Sequence, residues 1–484
     1  MSRLIPKETV QKILYIRPDA IGDMVLSLPI LKAIKTAYPK AQLTVLASPY
    51  NASVIRHVSY VDSILTTSKQ FTSKQEKQQL IALLEEQLFD VSIHAFSDPT
   101  FVSIAYKAGI PYRLGDTSQL GLLPLLWKYG SFVKASNILL HKWHLDFQLL
   151  APLGMTLPET IGYDYSPSPE STALAEDILK KLGLLPKDAM LGKSPRRPLI
   201  GLQIGIGSNS KPLTPTHWAN YIVALKSALD CDVLLTSYSD KEKTDCEAIL
   251  KQCPLPLFYH AFKTPEELNA LTGLIAHYDV HVSVDTGPSH IAAALGIPQL
   301  SIFPTKRYTP LRWGHWGAPH FIARHTQPCA HACPHNNCPY TVCVESLDIS
   351  DMVEKTLALL QGKGLRTFKD QWAMWFKSSL CFTFLYNPSS KQQVCKYAQT
   401  LCQWGFDCVA LPLDTPQLDT VLIERNSMIV QNFSGSNKLK LFITAQKAAQ
   451  KMFTPPLVIH SAFEATDADL FMNFIKENFS RRVF

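Results

Sequence analysis

The chain contains no uninterrupted apolar run long enough to cross a bilayer, which argues against a membrane-spanning helix. Its first residues, Met1 to Lys7 followed by Glu8, hold no apolar signal-peptide core, so a cytoplasmic location is expected. Only 18% of the residues are charged and 46% are hydrophobic, the balance of a folded globular chain rather than a disordered one. The net charge of +7 is small for 484 residues; it suits anionic partners or an anionic lipid surface and gives no sign of nucleic-acid binding. The eleven cysteines include no paired CxxC…CxxC, and in a reducing compartment they read as thiols or metal ligands rather than as a disulfide framework. Two nucleotide signatures are also missing where they would count. The small-residue loop Ile204 to Lys211 follows a strand but carries neither a Gly-Lys-Ser/Thr triplet nor the GxGxxG spacing.

What is present is a repeated alternation of short β-branched runs with helical periodicity, the pattern of a parallel sheet wrapped on both faces. Ile13–Ile16, Leu43–Ala47, Val61–Leu65 and Val91–His94 read as strands of a first unit, with a helix over Gln75–Leu88. A helix also runs through Val25, Leu28, Leu31, Ile34 and Ala37, where Pro29 predicts an irregular first turn or a start near that proline. A polar stretch from Tyr163 to Glu170 and a basic one from Lys193 to Arg197 mark a junction. A second unit follows, with strands Leu199–Gln203, Asp232–Leu235, Val280–Val284 and Gln299–Phe303 and a closing helix Asp348–Gln361. The expected domains are 1–165, 195–363 and a small α/β extension over 364–484, with the crevice between the first two as the default site. The segment Leu120 to Leu140 is rich in leucine around Pro124 and Trp127, and reads either as core or as an apolar patch facing an anionic membrane.

Three loops follow strands and would face that crevice. In Asp285-Thr286-Gly287-Pro288-Ser289-His290 an acid ends a strand and small residues open a helix, which reads either as a helix cap or as an anion cradle using free N–H groups and the helix dipole. Ile204 to Lys211 offers Ser208 and backbone amides with Lys211 as counter-charge. Arg17 to Asp23 places Asp19 and Asp23 beside Gly22, and a carboxylate there either caps the helix or serves as a general base. Cys329, Cys333, Cys338 and Cys343, interleaved with His325, His331 and His335, could hold zinc, although the spacing is not that of a standard finger. Asp467-Ala468-Asp469 has the DxD form of metal-dependent sugar transferases but reads as a solvated helix start.

Together these stretches resemble glycosyltransferase family 9, the ADP-heptose:lipopolysaccharide heptosyltransferases. The similarity runs through Ile13–Pro39, Ala108–Gly115, Lys211 with His217-Trp218, and most specifically Asp285–Pro298, and covers roughly residues 10–362. The resemblance implies a GT-B fold, two Rossmann-like domains across a cleft, with acceptor bound by the first and nucleotide-sugar by the second. It implies an inverting transfer without metal or cofactor, from ADP-heptose to a lipopolysaccharide core or similar glycolipid, at the cytoplasmic face of the inner membrane. By position, Asp23 is the implied base. Lys211, Ser208, Asp240, Asp285, Thr286, Gly287 and His290 lie on the donor side, and Arg17, Asp19, Gly22 and Arg113 on the acceptor side. The family's Leu-Gly-Gly-Pro-x-Glu appears here as Leu235-Thr236-Ser237-Tyr238-Ser239-Asp240, so Asp240 would replace the usual ribose-binding Glu. That departure, with the added C-terminal region, leaves a second expectation open: a catalytically silent scaffold binding an envelope glycolipid or a partner protein.

Overall fold

The computed structural model describes residues 4–116, 141–156, 162–191, 194–205, 212–264, 267–304, 310–324 and 342–364, and beyond them the backbones of five strands. The first sheet is all parallel, in the order β3-β2-β1-β4-β5, from β1 (Lys12–Arg17), β2 (Gln42–Ala47), β3 (Ser63–Thr66), β4 (Val91–His94) and β5 (Tyr112–Leu114). After a short antiparallel hairpin, β6 (Met190–Leu191) with β7 (Ser194–Pro195), a second parallel sheet runs β10-β9-β8-β11-β12-β13. Its strands are β8 (Leu199–Gln203), β9 (Asp232–Ser237), β10 (Phe258–Ala261), β11 (Val280–Val284), β12 (Gln299–Ile302) and β13 (His320–Ala323). A third sheet, β15-β14-β16-β17-β18, comes from β14 (Cys381–Tyr386), β15 (Asp407–Pro412), β16 (Met428–Asn432), β17 (Leu439–Ile443) and β18 (Leu457–His460). It is mixed, parallel among β15, β14 and β16 and antiparallel from there on. The expected two parallel-sheet α/β units are therefore present.

In both parallel sheets the chain reverses direction beside the first strand of the unit, β1 in one and β8 in the other. The loops after β1 and β11 thus open beside strands that wind outward in opposite senses, the position where α/β sheets leave a crevice. The central strands are buried on both faces, which is why they read as continuous apolar runs rather than as alternation.

Pro29 does not delay its helix. One helix spans Ile21–Ala37 with the proline inside it. The helix is buried from Met24 to Leu31, and this packing outweighs the one backbone hydrogen bond that proline removes. The junction also differs from a solvated linker. Tyr163 is buried and stacks on Trp316 at 4.4 Å, while Ser171 Oγ accepts from the Gly273 amide at 2.9 Å and donates to the Asn269 carbonyl at 2.6 Å. These contacts lock helix Pro169–Leu182 onto helix Ala270–Ala276, where a side chain at Gly273 would strike the Ser171 carbonyl. One hydrophobic cluster joins the two units, running from Ile13 and Leu31 through Trp143 and Tyr163 to Leu274, Ile291 and Trp316.

Candidate functional site

The loop after β1 is built around a buried cation. Arg17 ends the strand 1% exposed, and every arm of its guanidinium is engaged. Nη2 pairs with Asp146, Nη1 donates to the Ala95 carbonyl at 2.7 Å and lies 3.4 Å from Asp19, and Nε donates to Ser27 Oγ at 3.2 Å. Burial works against its charge, but Asp19, Asp146 and Asp23 more than compensate, and its pKa stands well above the ordinary value. Asn51 fixes the loop by donating to the Arg17 and Asp19 carbonyls. Asp146 bridges two cations, with one oxygen on Arg17 and the other on Lys142.

Asp23, in the first turn of helix Ile21–Ala37, is held more loosely, its Oδ1 3.7 Å from Arg17 Nη2 and its side chain 19% exposed. Asp19 is different. Burial pushes its carboxyl up to about 6 against the pull of Arg17, and its Oδ1 is buried without a partner. Of the acid pair singled out by the sequence, Asp23 is therefore the one presented to the crevice.

The second wall starts at the end of β11. Asp285 Oδ1 lies 3.3 Å from His290 Nε2 and 3.3 Å from His315 Nε2. Burial would raise this carboxyl, but hydrogen bonds from the two imidazoles overcome it and hold it at about 2. Burial also pushes His315 down to about 4, so its ring is neutral at pH 7. Ser301 Oγ lies 2.8 Å from Nδ1, and the arrangement is satisfied when that hydroxyl donates and Nε2–H is shared between Asp285 and Ser289 Oγ at 3.0 Å. Ser289 in turn accepts from the Thr286 amide at 2.9 Å and donates to the Thr286 carbonyl at 2.6 Å. The Thr286 N–H is thus already engaged. Pro288 has none, and the amide left at the first turn of helix Gly287–Ala294 is that of Gly287.

The two walls touch. An added Cβ at Gly22 would lie 2.7 Å from His290 Cδ2, and one at Gly287 would lie 3.0 Å from Ile21 Cβ. Glycine at both positions lets the starts of helices Ile21–Ala37 and Gly287–Ala294 abut, which sets Asp23 and the Asp285–His290 pair on facing sides of one crevice. A polar cavity bordered by Arg56, His57, Glu170 and Asn269 reaches these helices through Ile21 and Ile291, but not through Asp23, Asp285 or His290.

The other residues singled out by sequence are placed differently. Arg113, on β5 two strands from β1, lies over the Tyr106 ring at 5.1 Å and donates to the Ile110 carbonyl. Asp240 is exposed at the start of helix Asp240–Gln252. It is Glu242 that meets the loop after β8, since a side chain at Gly205 would collide with its carboxylate. Ser208, Lys211, Cys329, Cys333, Cys338, the segment 120–140 and Asp467–Asp469 lie outside the described residues. Cys343 is half-buried on the short helix Val342–Glu345. Among the described residues the one group of three potential metal ligands is Asp285, His290 and His315, with ligand atoms within 4.8 Å of one another. Sequence reading missed His315, Ser301, Asp146, Lys142 and Arg312. Asp146 lies 129 residues from Arg17 and His315 lies 26 from Ser289, so no local spacing links them.

Comparison with known proteins agrees with this architecture. Residues 118–342 match the family model described as "Glycosyltransferase family 9 (heptosyltransferase)". A "Putative glycosyltransferase" of Haemophilus influenzae is 25% identical over 309 residues, 63% of this chain and 86% of that protein. "Lipopolysaccharide heptosyltransferase 3" of Escherichia coli is 25% identical over 316 residues, 61% of this chain and 83% of that protein. The solved Escherichia coli "ADP-heptose lps heptosyltransferase II" superposes with a TM-score of 0.57 at 19% identity, covering 73% of this chain and 99% of that one, a likeness of fold. With two parallel sheets meeting at the paired glycines and an Asp-Thr-Gly loop opening helix Gly287–Ala294, the chain is similar to glycosyltransferase family 9 over the matched residues and is a glycosyltransferase of GT-B fold.

Proposed function

We propose that the chain transfers a heptose or closely related sugar, with inversion and without metal, from a nucleotide-sugar, ADP-heptose, to a lipopolysaccharide core or similar glycolipid. Residues 1–165 take the acceptor and 195–363 the donor, and the enzyme works against the cytoplasmic face of the inner membrane. No helix among the described residues is long and apolar enough to cross a membrane. The observation that carries the reading is the abutment of Gly22 and Gly287, which brings a partly exposed carboxylate within reach of an anion-cradling helix start. Asp23 removes the acceptor hydroxyl proton as the oxygen attacks the anomeric carbon, and the leaving diphosphate is received by the Gly287 amide and helix dipole, with Lys211 as counter-charge. Asp285 and His290 keep that loop in shape. The names of the relatives, a lipopolysaccharide heptosyltransferase and an ADP-heptose enzyme, support the sugar and the acceptor class.

The test is transfer from ADP-heptose to a heptose-accepting core glycolipid by wild type and Asp23→Asn. Loss of a general base costs about 10²–10⁴-fold in turnover. A drop of that size with unchanged affinity for ADP is expected. Full turnover in the variant, or binding of UDP in preference to ADP by the wild type, refutes the reading.

A further inference from the structure

The charged cluster behind Asp23 includes a cation that forms no ion pair with a carboxylate among the described residues. Arg312 belongs to the short helix Pro310–Trp313 of the second unit, yet the charges that bear on it are Asp146 and Asp23 of the first, and it in turn bears on His141 and Lys142. The segment that carries it is tied to the first unit, His141 Nε2 lying 2.9 Å from the Gly314 carbonyl oxygen, so Arg312 stands within electrostatic reach of those carboxylates. Asp146 already shares its two oxygens between Arg17 and Lys142, and no ion pair among the described residues joins it to Arg312. The Arg312 guanidinium lies over its neighbour Trp313 at 5.8 Å, and its Nη1 is buried with no hydrogen-bond partner among the described residues. A buried, charged donor is costly to leave unmatched, and arginine's planar fork is shaped for two oxygens of one phosphate or carboxylate. Arg17 shows the contrast: on the same cluster and more deeply buried, it is satisfied on every arm by protein.

We propose that Arg312 is a substrate-anion site at the mouth of the acceptor wall, its Nη1 taking an oxygen of a phosphate or carboxylate group next to Asp23. This rests on the transferase reading for its two sources of such a group, the donor diphosphate and an acidic substituent of the acceptor. Arg312 then touches substrate from the donor-side unit while facing the base of the other, so that the anion ties the two walls together.

Titration calorimetry of the full chain with ADP and, separately, with inorganic phosphate tests it in the wild type, Arg312→Gln and Arg312→Lys, with the melting temperature of each recorded. Arg312→Gln should weaken at least one probe by roughly tenfold or more, as for loss of a charge-assisted bond, with an unchanged or higher melting temperature, and Arg312→Lys should recover part of the loss. Weakened ADP assigns the anion to the donor, whereas weakened phosphate with ADP intact assigns it to the acceptor. Equal affinity of wild type and Arg312→Gln for both probes overturns the proposal, as does a wild type that binds neither. A loss of affinity accompanied by a lowered melting temperature that Arg312→Lys restores without restoring binding also overturns it, because the residue is then structural. The phosphate arm needs no particular sugar or nucleotide, so it stands even if ADP-heptose proves to be the wrong donor.

Discussion

Gly22→Ala sets two opposed effects against each other at the point where the walls meet. Gly22 lies in the first turn of helix Ile21–Ala37, so alanine there gains up to about 1 kcal/mol of helix propensity. The new Cβ, however, would lie 2.7 Å from His290 Cδ2, about 1 Å inside the usual carbon–carbon contact distance. His290 is 3% exposed and tied to Asp285, so it has little room to yield. Overpacking of this kind costs about 1–3 kcal/mol, which leaves a net destabilisation of about 0–2 kcal/mol. The stability change alone is therefore a weak test, and coupling is the sharp one. With His290→Ala the obstruction is gone, and Gly22→Ala should turn neutral or stabilising. Urea denaturation of the wild type, both single variants and the double variant should give a coupling energy of about 1–3 kcal/mol. ADP affinity should fall in Gly22→Ala, because a displaced His290 releases Asp285 and the loop it shapes. If Gly22→Ala costs the same in both backgrounds, the helix starts do not abut as described.

Two further outcomes follow from the buried charges. Burial holds His94, His281 and His320 at about 3 and His144 and His315 at about 4, below their value of about 6.5 in an unfolded chain. The unfolded chain thus binds more protons between these values, and stability falls as pH drops through that window, by up to about 1.4 kcal/mol per histidine at pH 5.5. Asp19, raised to about 6, acts in the opposite sense over part of the same range, but it is one group against five. The urea midpoint should therefore be clearly lower at pH 5.5 than at 7.5, and an equal or higher midpoint refutes the assignment of neutral buried imidazoles. Asp146→Asn removes the shared partner of Arg17 and Lys142 and should cost about 3–5 kcal/mol, the usual penalty for breaking a buried pair. It should also lower turnover by drawing Arg17 onto Asp23, now 3.7 Å away, and unchanged turnover would sever the cluster from catalysis.

The sheet strands were readable because buried parallel strands are short apolar runs bounded by turn residues. Val91–His94, Leu199–Gln203 and Val280–Val284 fall where the sequence places them. The site was readable where chemistry is local, as at Asp23 beside Gly22 and at Asp285 opening a helix. It was not readable where partners converge from distant segments. Nothing around Trp313-Gly314-His315-Trp316 announces that His315 will sit between Ser301 and Asp285, and nothing near Lys142 announces that Asp146 will hold Arg17. Pro29 misled for a related reason: its cost is local, whereas the burial that overrides it comes from the whole unit. Asp240 was chosen over Glu242 by position in a motif, while the closeness of Gly205 to Glu242 depends on how helix Asp240–Gln252 lies against β8.

The charge balance of the two walls constrains what must hold the diphosphate. Around Asp23, the cations Arg17, Lys142 and Arg312, the last contributed by the second unit, stand against Asp19, Asp23 and Asp146, three cations to three carboxylates. On the facing wall Asp285 stays ionised, held at about 2, while His315, at about 4, is neutral and contributes only a hydrogen bond. A diphosphate entering beside the Gly287 amide therefore meets a fixed negative charge, and a helix of eight residues with its Thr286 amide already engaged offsets only part of that repulsion. A cation must be brought to the anion. Arg17 and Lys142 are committed to Asp146, so among the described residues of this cluster Arg312 is the candidate, beside Lys211, which the sequence offers after β8. If these two share the task, each single neutralisation should weaken ADP by roughly tenfold and the double neutralisation by more than the sum of the two free-energy losses, since no second cation is left to face the diphosphate.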